Sequence, residues 1–114
     1  MLLDLPLEYR VQDGPFPHGG LVVNASEVGL LIQSVRDIPV GQKLLTVILF
    51  PKGFELASLK MMGEVVWKDI HQEDDWQGFH YGLNFIDILD EDRNNLKRVL
   101  TGEYSMDGIS KALS

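Results

Sequence analysis

The polar residues of the stretch Asn24-Ala-Ser-Glu-Val-Gly29 have the types and the spacing that could bind a ligand. Asn and Ser side chains two positions apart can hydrogen-bond to neighbouring backbone N–H groups, and glycine adds φ freedom that residues with a Cβ lack. A turn of this kind directs polar groups outward and can form a concave seat for an anion. The same residue types also form ordinary hairpin turns. The stretch therefore predicts a turn, and its residues alone leave ligand binding open.

A second candidate is a metal site around two histidines. His71 and His80 would flank a hairpin whose acidic connection, His71–Gly78, carries Glu73, Asp74 and Asp75. Imidazole and carboxylate groups bind metals, but a solvated acidic loop explains the same charges with no further assumption. We therefore expect a loop at this position and no metal.

Motifs for catalysis are missing from the sequence. It contains no Gly-x-Ser-x-Gly elbow, no Gly-x-x-x-x-Gly-Lys phosphate loop and no His-Glu-x-x-His zinc motif. No pairing of a nucleophile with a base is visible either. We therefore expect a protein that is not an enzyme and carries no cofactor.

Composition and charge describe one acidic domain. The 114 residues, 45% of them hydrophobic, fit a single globular domain, and the formal charge of −7 disfavours nucleic-acid backbones. There is no cysteine, no basic region before an apolar run at the N-terminus, and no apolar stretch near the roughly 18 residues of a membrane span. We expect a cytoplasmic protein that binds no nucleic acid and has no membrane span.

Short apolar runs bounded by turn residues predict five or six strands. The clearest of these runs are Leu21–Asn24, Gly29–Ser34, Lys43–Phe50, Phe54–Ile70 and Phe79–Ile86. Gly63 within the longest run indicates a bulge or bend, and Trp67 in the same run is expected in the core. Such apolar strands would leave exposed edges unless the sheet closes, which favours a small antiparallel barrel.

The two ends of the chain lie outside these strands. Residues 1–18 predict an N-terminal arm, or the edge of a first strand, followed by a loop rich in glycine and proline. Apolar residues recur at helical spacing from about Glu91 to Leu100, after acidic residues suited to a helix N-terminus, and Gly102 suits the C-terminal cap. We therefore divide the chain into an arm and loop at 1–18, a barrel with a closing helix at 19–101, and a tail at 102–114.

The order of these motifs resembles the PilZ domain family over about Gly19 to Leu100. The stretch Asn24-Ala-Ser-Glu-Val-Gly29-Leu30 matches the family's (Asp/Asn)-x-Ser-x-x-Gly motif. The match is supported by the closing helix and by two strand segments, Gly63-Glu-Val-Val-Trp67 and Tyr81-Gly-Leu-Asn-Phe85. The resemblance implies an all-β fold with one C-terminal helix, a small six-stranded antiparallel barrel. It also implies reception of the bacterial second messenger cyclic di-GMP and transmission of the signal to a protein partner.

The resemblance further implies that Asn24, Ser26 and Gly29 contact a guanine and its surroundings. The family adds an upstream Arg-x-x-x-Arg, because arginine makes bidentate bonds to phosphate and guanine that lysine does not. Here Arg10 is the one upstream arginine, and it is assigned to the ligand site by its charge alone. Missing bidentate contacts, each worth about 1.5–3 kcal/mol, predict an affinity lower by one to several orders of magnitude.

Two functions therefore remain open. A cyclic di-GMP receptor would use Arg10 and the residues of the turn. A degenerate PilZ domain would keep the turn only to close a hairpin and would act as a protein-interaction adaptor. The adaptor hypothesis predicts an exposed apolar patch around Trp76 and Phe79 or on the closing helix.

Overall fold

Six antiparallel strands form a closed barrel in the computed structural model, which describes residues 2–73 and 75–102. The elements are β1 (Leu2–Val11), β2 (His18–Ala25), β3 (Gly29–Ser34), β4 (Lys43–Lys52), β5 (Glu55–Glu73), β6 (Trp76–Asp87) and α1 (Asp90–Leu100). The strands neighbour one another in the order β1-β2-β3-β6-β5-β4, and β4 pairs back with β1. This confirms the all-β fold with one C-terminal helix. Most of the predicted tail lies outside the described residues.

Alternate side chains of the strands fill the interior of the barrel. In β3, Leu30, Ile32 and Ser34 are buried while the residues between them are partly exposed. The helix α1 packs against β5 and adds Leu96 and Val99 to the same core. Small barrels are filled by side chains in this way, so a ligand has to bind on the outer face. In the described part of the chain, no helix is long and apolar enough to cross a membrane.

The barrel includes N-terminal residues that the sequence analysis assigned to an arm or a strand edge. Leu7 and Tyr9 of β1 are buried, and β1 pairs with both β2 and β4. Pro6 pairs with Leu21 of β2, whereas pairing with β4 begins only at Leu7. A proline is tolerated where a strand has a partner on one side only. The barrel thus begins at Leu2.

The β5–β6 hairpin is longer than the sequence predicts. The expected loop over His71–Gly78 is wrong, because the ladder continues to the pair Glu73–Trp76. Ile70 pairs with Phe79 in this extension, and the rings of His71 and His80 stack across it. Cross-strand contacts of this kind stabilise a ladder even where neighbouring residues are charged and exposed.

Two buried tyrosines connect β1 to the last residue of β3 and β6 to the segment that follows β3. The hydroxyl of Tyr9 is 2.7 Å from Oγ of Ser34. The hydroxyl of Tyr81 accepts a hydrogen bond from the N–H of Ile38 at 2.8 Å and donates one to the carbonyl of Arg36. Burial raises the pKa of both tyrosine hydroxyls. These contacts satisfy polar groups inside the barrel and hold the segment after β3 against β6.

Tyr81→Phe is expected to lower the free energy of unfolding by about 1–3 kcal/mol, because the buried N–H of Ile38 loses its acceptor. Chemical denaturation monitored by circular dichroism measures the change. Ser58→Ala removes a hydroxyl from an exposed position of β5, so it is the control and should change the value by less than about 0.5 kcal/mol. Equal losses in the two variants would contradict the role assigned to the Tyr81 hydroxyl.

Candidate functional site

The turn identified in the sequence connects β2 to β3, and Ser26 organises it. The N–H of Ser26 donates to the carbonyl of Gly29 at 3.0 Å, and the N–H of Val28 donates to the Ser26 hydroxyl at 3.3 Å. The Ser26 hydroxyl in turn donates to the Gly29 carbonyl at 3.4 Å. The carbonyl of Val28 accepts a bond from the N–H of Phe85 at 3.0 Å, which fastens the turn to β6. Ser26 therefore has a structural role whether or not a ligand binds.

Gly29 is required by the close approach of β6. The sequence analysis assigned this glycine a need for φ freedom, and that is wrong: among the described residues, the glycines with positive φ are Gly41, Gly53 and Gly102. A Cβ at Gly29 would instead overlap the backbone carbonyl oxygen of Leu83 on β6. Glycine is used here because two backbones approach closely, not because the chain turns sharply.

A surface pocket of about 370 Å³ lies on the outer face of the barrel beside this turn. Asn24, Ser26 and Gly29 all line it, so the structure brings these three predicted residues together. The far side of the pocket consists of residues of β5 and β6, and the polar or aromatic ones there are Trp67 and Asn84. Among the residues that the structure describes, no lysine, arginine or histidine lines this pocket.

Trp67 lies over Gly82 in this pocket, with 45% of its surface exposed. The expectation that Trp67 belongs to the core is wrong, and a β-bulge is the reason. The register of β5 against β6 shifts between Val65 and Trp67, so Val66 is the extra residue. Without the bulge Trp67 would share the inward face of Val65, and with it the indole points outward. A Cβ at Gly82 would overlap the indole ring, so the ring rests directly on the glycine backbone.

Arg10 is not among the residues that line this pocket. Asn24 is opposite Leu2 on β1, so Arg10 lies eight residues farther along that strand, which is about 26 Å of strand. Arg10 instead lines a separate depression with Pro17 and Leu45. The position of Arg10 is fixed by the pairing register of β1. This register could not be predicted from the sequence, so the charge of Arg10 gave no information about its distance from the turn.

The two histidines form a stacked pair on the β5–β6 hairpin. The rings of His71 and His80 are 4.1 Å apart with an interplanar angle of 14°. Nε2 of His80 is 3.1 Å from Oε1 of Gln33 on β3. Within residues 2–73 and 75–102, no three or more histidine, cysteine or acidic side chains are grouped in a way that could hold a metal ion.

Comparison with known proteins identifies the family. The family model for the PilZ domain matches residues 2–102, a range that contains every residue that the structure describes. The chain belongs to the PilZ domain family. No curated protein sequence matches it significantly.

Two solved structures resemble this PilZ domain in fold. The Bacillus subtilis inhibitor of motility MotI/DgrA is 15% identical, with a TM-score of 0.68 over 89% of this chain and 49% of that protein. K. pneumonia MrkH in its apo state is 11% identical, with a TM-score of 0.72 over 96% of this chain and 50% of that protein. The chain spans about half the length of each. At these identities the likeness shows the fold.

Sequence reasoning missed Trp67, Gly82 and Asn84 as residues of the pocket. Gly82 carried a usable signal, because a glycine inside an alternating strand marks close approach of another group. Here that group is the indole. In the PilZ domain the motif turn therefore faces an exposed aromatic side chain that the turn's own sequence does not reveal.

Gly29→Ala is expected to destabilise the PilZ domain by about 1–3 kcal/mol, because the new methyl group forces β3 away from the Leu83 carbonyl. Urea denaturation measures the loss. Gly19→Ala is the matched control, since a Cβ there meets nothing within 4 Å. If Gly29→Ala proved as stable as Gly19→Ala, close approach would not explain the glycine.

Proposed function

We propose that this PilZ domain is a cyclic di-GMP receptor that binds the nucleotide in the pocket beside the β2–β3 turn. The observation that carries the proposal is the position of Asn24, Ser26 and Gly29 on the rim of one pocket, opposite the exposed indole of Trp67. Membership of the PilZ family supports a regulatory role. Transmission of the signal to a protein partner in the bacterial cytoplasm is part of the proposal.

The groups around the pocket suit a guanine base. An exposed indole offers a flat apolar surface, and stacking of a base on an aromatic side chain is worth about 1–3 kcal/mol in nucleic-acid binding. The amide side chains of Asn24 and Asn84 carry both donors and acceptors, as recognition of a guanine edge requires. In this proposal, stacking on the indole supplies most of the affinity. The two amide side chains and the turn orient the guanine base through hydrogen bonds.

The electrostatics of the pocket favour modest affinity. In the described part of the chain, no cationic side chain lines the pocket, and the chain has a formal charge of −7. Arg10 lies about 26 Å along β1 from Leu2, the residue opposite Asn24. Without guanidinium contacts to the phosphates, stacking and neutral hydrogen bonds carry most of the binding energy. We therefore expect binding weaker by one to several orders of magnitude than in a site with paired arginines.

Calorimetric titration with cyclic di-GMP tests the proposal, and Trp67 provides its sharpest variant. Trp67→Ala is expected to raise Kd by about tenfold or more through loss of stacking, whereas Trp67→Phe should keep most of the affinity. Ile70→Ala is the control, because Ile70 is an exposed apolar residue of the same strand that does not line the pocket. Arg10→Ala should leave Kd unchanged.

The absence of heat and of any rise in melting temperature at millimolar ligand would reject the receptor proposal. Equal loss of affinity in Trp67→Ala and Ile70→Ala would instead reject this pocket as the site. Thermal melts of all variants show whether each is folded.

The alternative is a PilZ domain that binds no cyclic di-GMP and acts as an adaptor. The observation in its favour is the tip of the β4–β5 hairpin, where Phe54 and Leu56 are 83% and 71% exposed. Large exposed apolar side chains that lie together are typical of protein contacts. The sequence predicted an exposed apolar patch around Trp76 and Phe79 instead. Phe79 is partly buried against the core, which does not favour that patch, and the side chain of Trp76 lies outside the described part. Failure of the titration would favour this alternative.

A further inference from the structure

We propose that the stacked pair His71–His80 is the phosphate-binding part of the same face. The inference rests on the proposed function, because it concerns the phosphates of the nucleotide in the pocket. Imidazolium would take the role that arginine plays where paired arginines are present, so that binding of the nucleotide becomes coupled to uptake of a proton. The position of the pair and the chemistry of its imidazole rings support the proposal.

The histidine pair adjoins the pocket on the outer face of the sheet. Gly82 lines the pocket, and His80 lies two residues away on the same strand, with the buried Tyr81 between them pointing inward. Two residues of strand span about 7 Å. On β3, Gln33 is directly paired with His80, as Leu31 is with Gly82 at the pocket. A nucleotide whose base lies on the indole can therefore extend its phosphates along β6 to the pair.

The hydrogen bond between His80 and Gln33 does not depend on whether the imidazole ring is protonated. Nε2 of His80 is 3.1 Å from Oε1 of Gln33, and with this carbonyl oxygen as acceptor Nε2 is the donor. A proton added at Nδ1 leaves that hydrogen bond in place. Two positive rings 4.1 Å apart would repel each other, so the proposal requires a proton on only one of the two rings.

The charged groups around the pair come from the strands on either side of β6. From β5, Asp69 is directly opposite His80. From β3, the facing residue is the neutral Gln33. Lys68 points to the other face of β5, where it forms an ion pair with Asp37. A bound phosphate would attract a positively charged ring at this position.

A ligand with phosphate groups requires a positively charged group near the pocket. A cyclic dinucleotide carries two ionised phosphodiesters, and none of the lysine or arginine side chains within residues 2–73 and 75–102 lines the pocket. Imidazole is the side chain whose ordinary charge change falls between pH 5 and pH 8. Across this range the phosphodiesters stay ionised and guanine stays neutral, so a pH dependence of binding would report on the protein.

The test is calorimetric titration of the full chain with cyclic di-GMP at pH 6 and pH 8, at constant ionic strength. The linkage sign follows from proton uptake: the complex binds more protons than the free protein, so Kd is lower at low pH. We expect Kd to be about tenfold lower at pH 6 than at pH 8. The double variant His71→Asn/His80→Asn should abolish this difference, so that its Kd is the same at pH 6 and at pH 8. His18→Asn is the control, since His18 lies against Tyr9 at the β1–β2 hairpin, and it should keep the full pH dependence.

The outcomes separate this inference from the proposed function. Binding that is equal at the two pH values, or a pH dependence that survives in the double variant, would overturn the histidine subsite while leaving the receptor intact. Absence of binding at both pH values would reject the receptor itself. Melting curves at each pH confirm that the compared proteins are folded.

Discussion

The pairing of β3 with β6 is the constraint on which the rest of the molecule depends. These strands are not consecutive in the chain, yet they form a ladder from Gly29–Asn84 to Ser34–Phe79. Gly29 makes the ladder possible at the level of the turn, because any Cβ would overlap the Leu83 carbonyl. The ladder brings the β2–β3 turn beside the β5–β6 hairpin. The pocket exists because of this contact.

A second backbone feature decides what the pocket contains. The bulge at Val66 turns Trp67 outward, and Gly82 leaves room for the indole to lie flat on β6. One irregularity in β5 thus converts a side chain suited to the core into an exposed aromatic surface. The site therefore combines one bulge in β5 with two glycines, Gly29 and Gly82, that permit close contacts.

The fold could be predicted from the sequence because its signals are local. Alternating apolar runs, turn residues and one helical period depend on neighbours in the chain, and the motif turn lies between strands whose patterns are clear. The composition of the pocket depends on long-range register, which local pattern does not report. Trp67 was misplaced because a bulge of one residue reverses the face of a strand. Arg10 was assigned to the site because charge carries no information about its distance along β1.

The distribution of charge in this PilZ domain is the basis for the proposed dependence of nucleotide binding on pH. In the proposed receptor, positive charge on the binding face would come from imidazoles rather than guanidinium groups, and the chain as a whole is acidic. A receptor of this kind has little electrostatic attraction for its ligand at neutral pH and more in mild acid. Its binding would therefore respond to two inputs, the nucleotide and the proton.

The most direct measurement of the central claim is two-dimensional NMR of the ¹⁵N-labelled domain during titration with cyclic di-GMP. The account predicts that the largest amide shifts occur at residues 24–29, around Trp67 and Gly82, and at His80, while the amide of Arg10 stays unchanged. Shifts centred on Arg10 and the depression beside Leu45, with the β2–β3 turn unaffected, would contradict it.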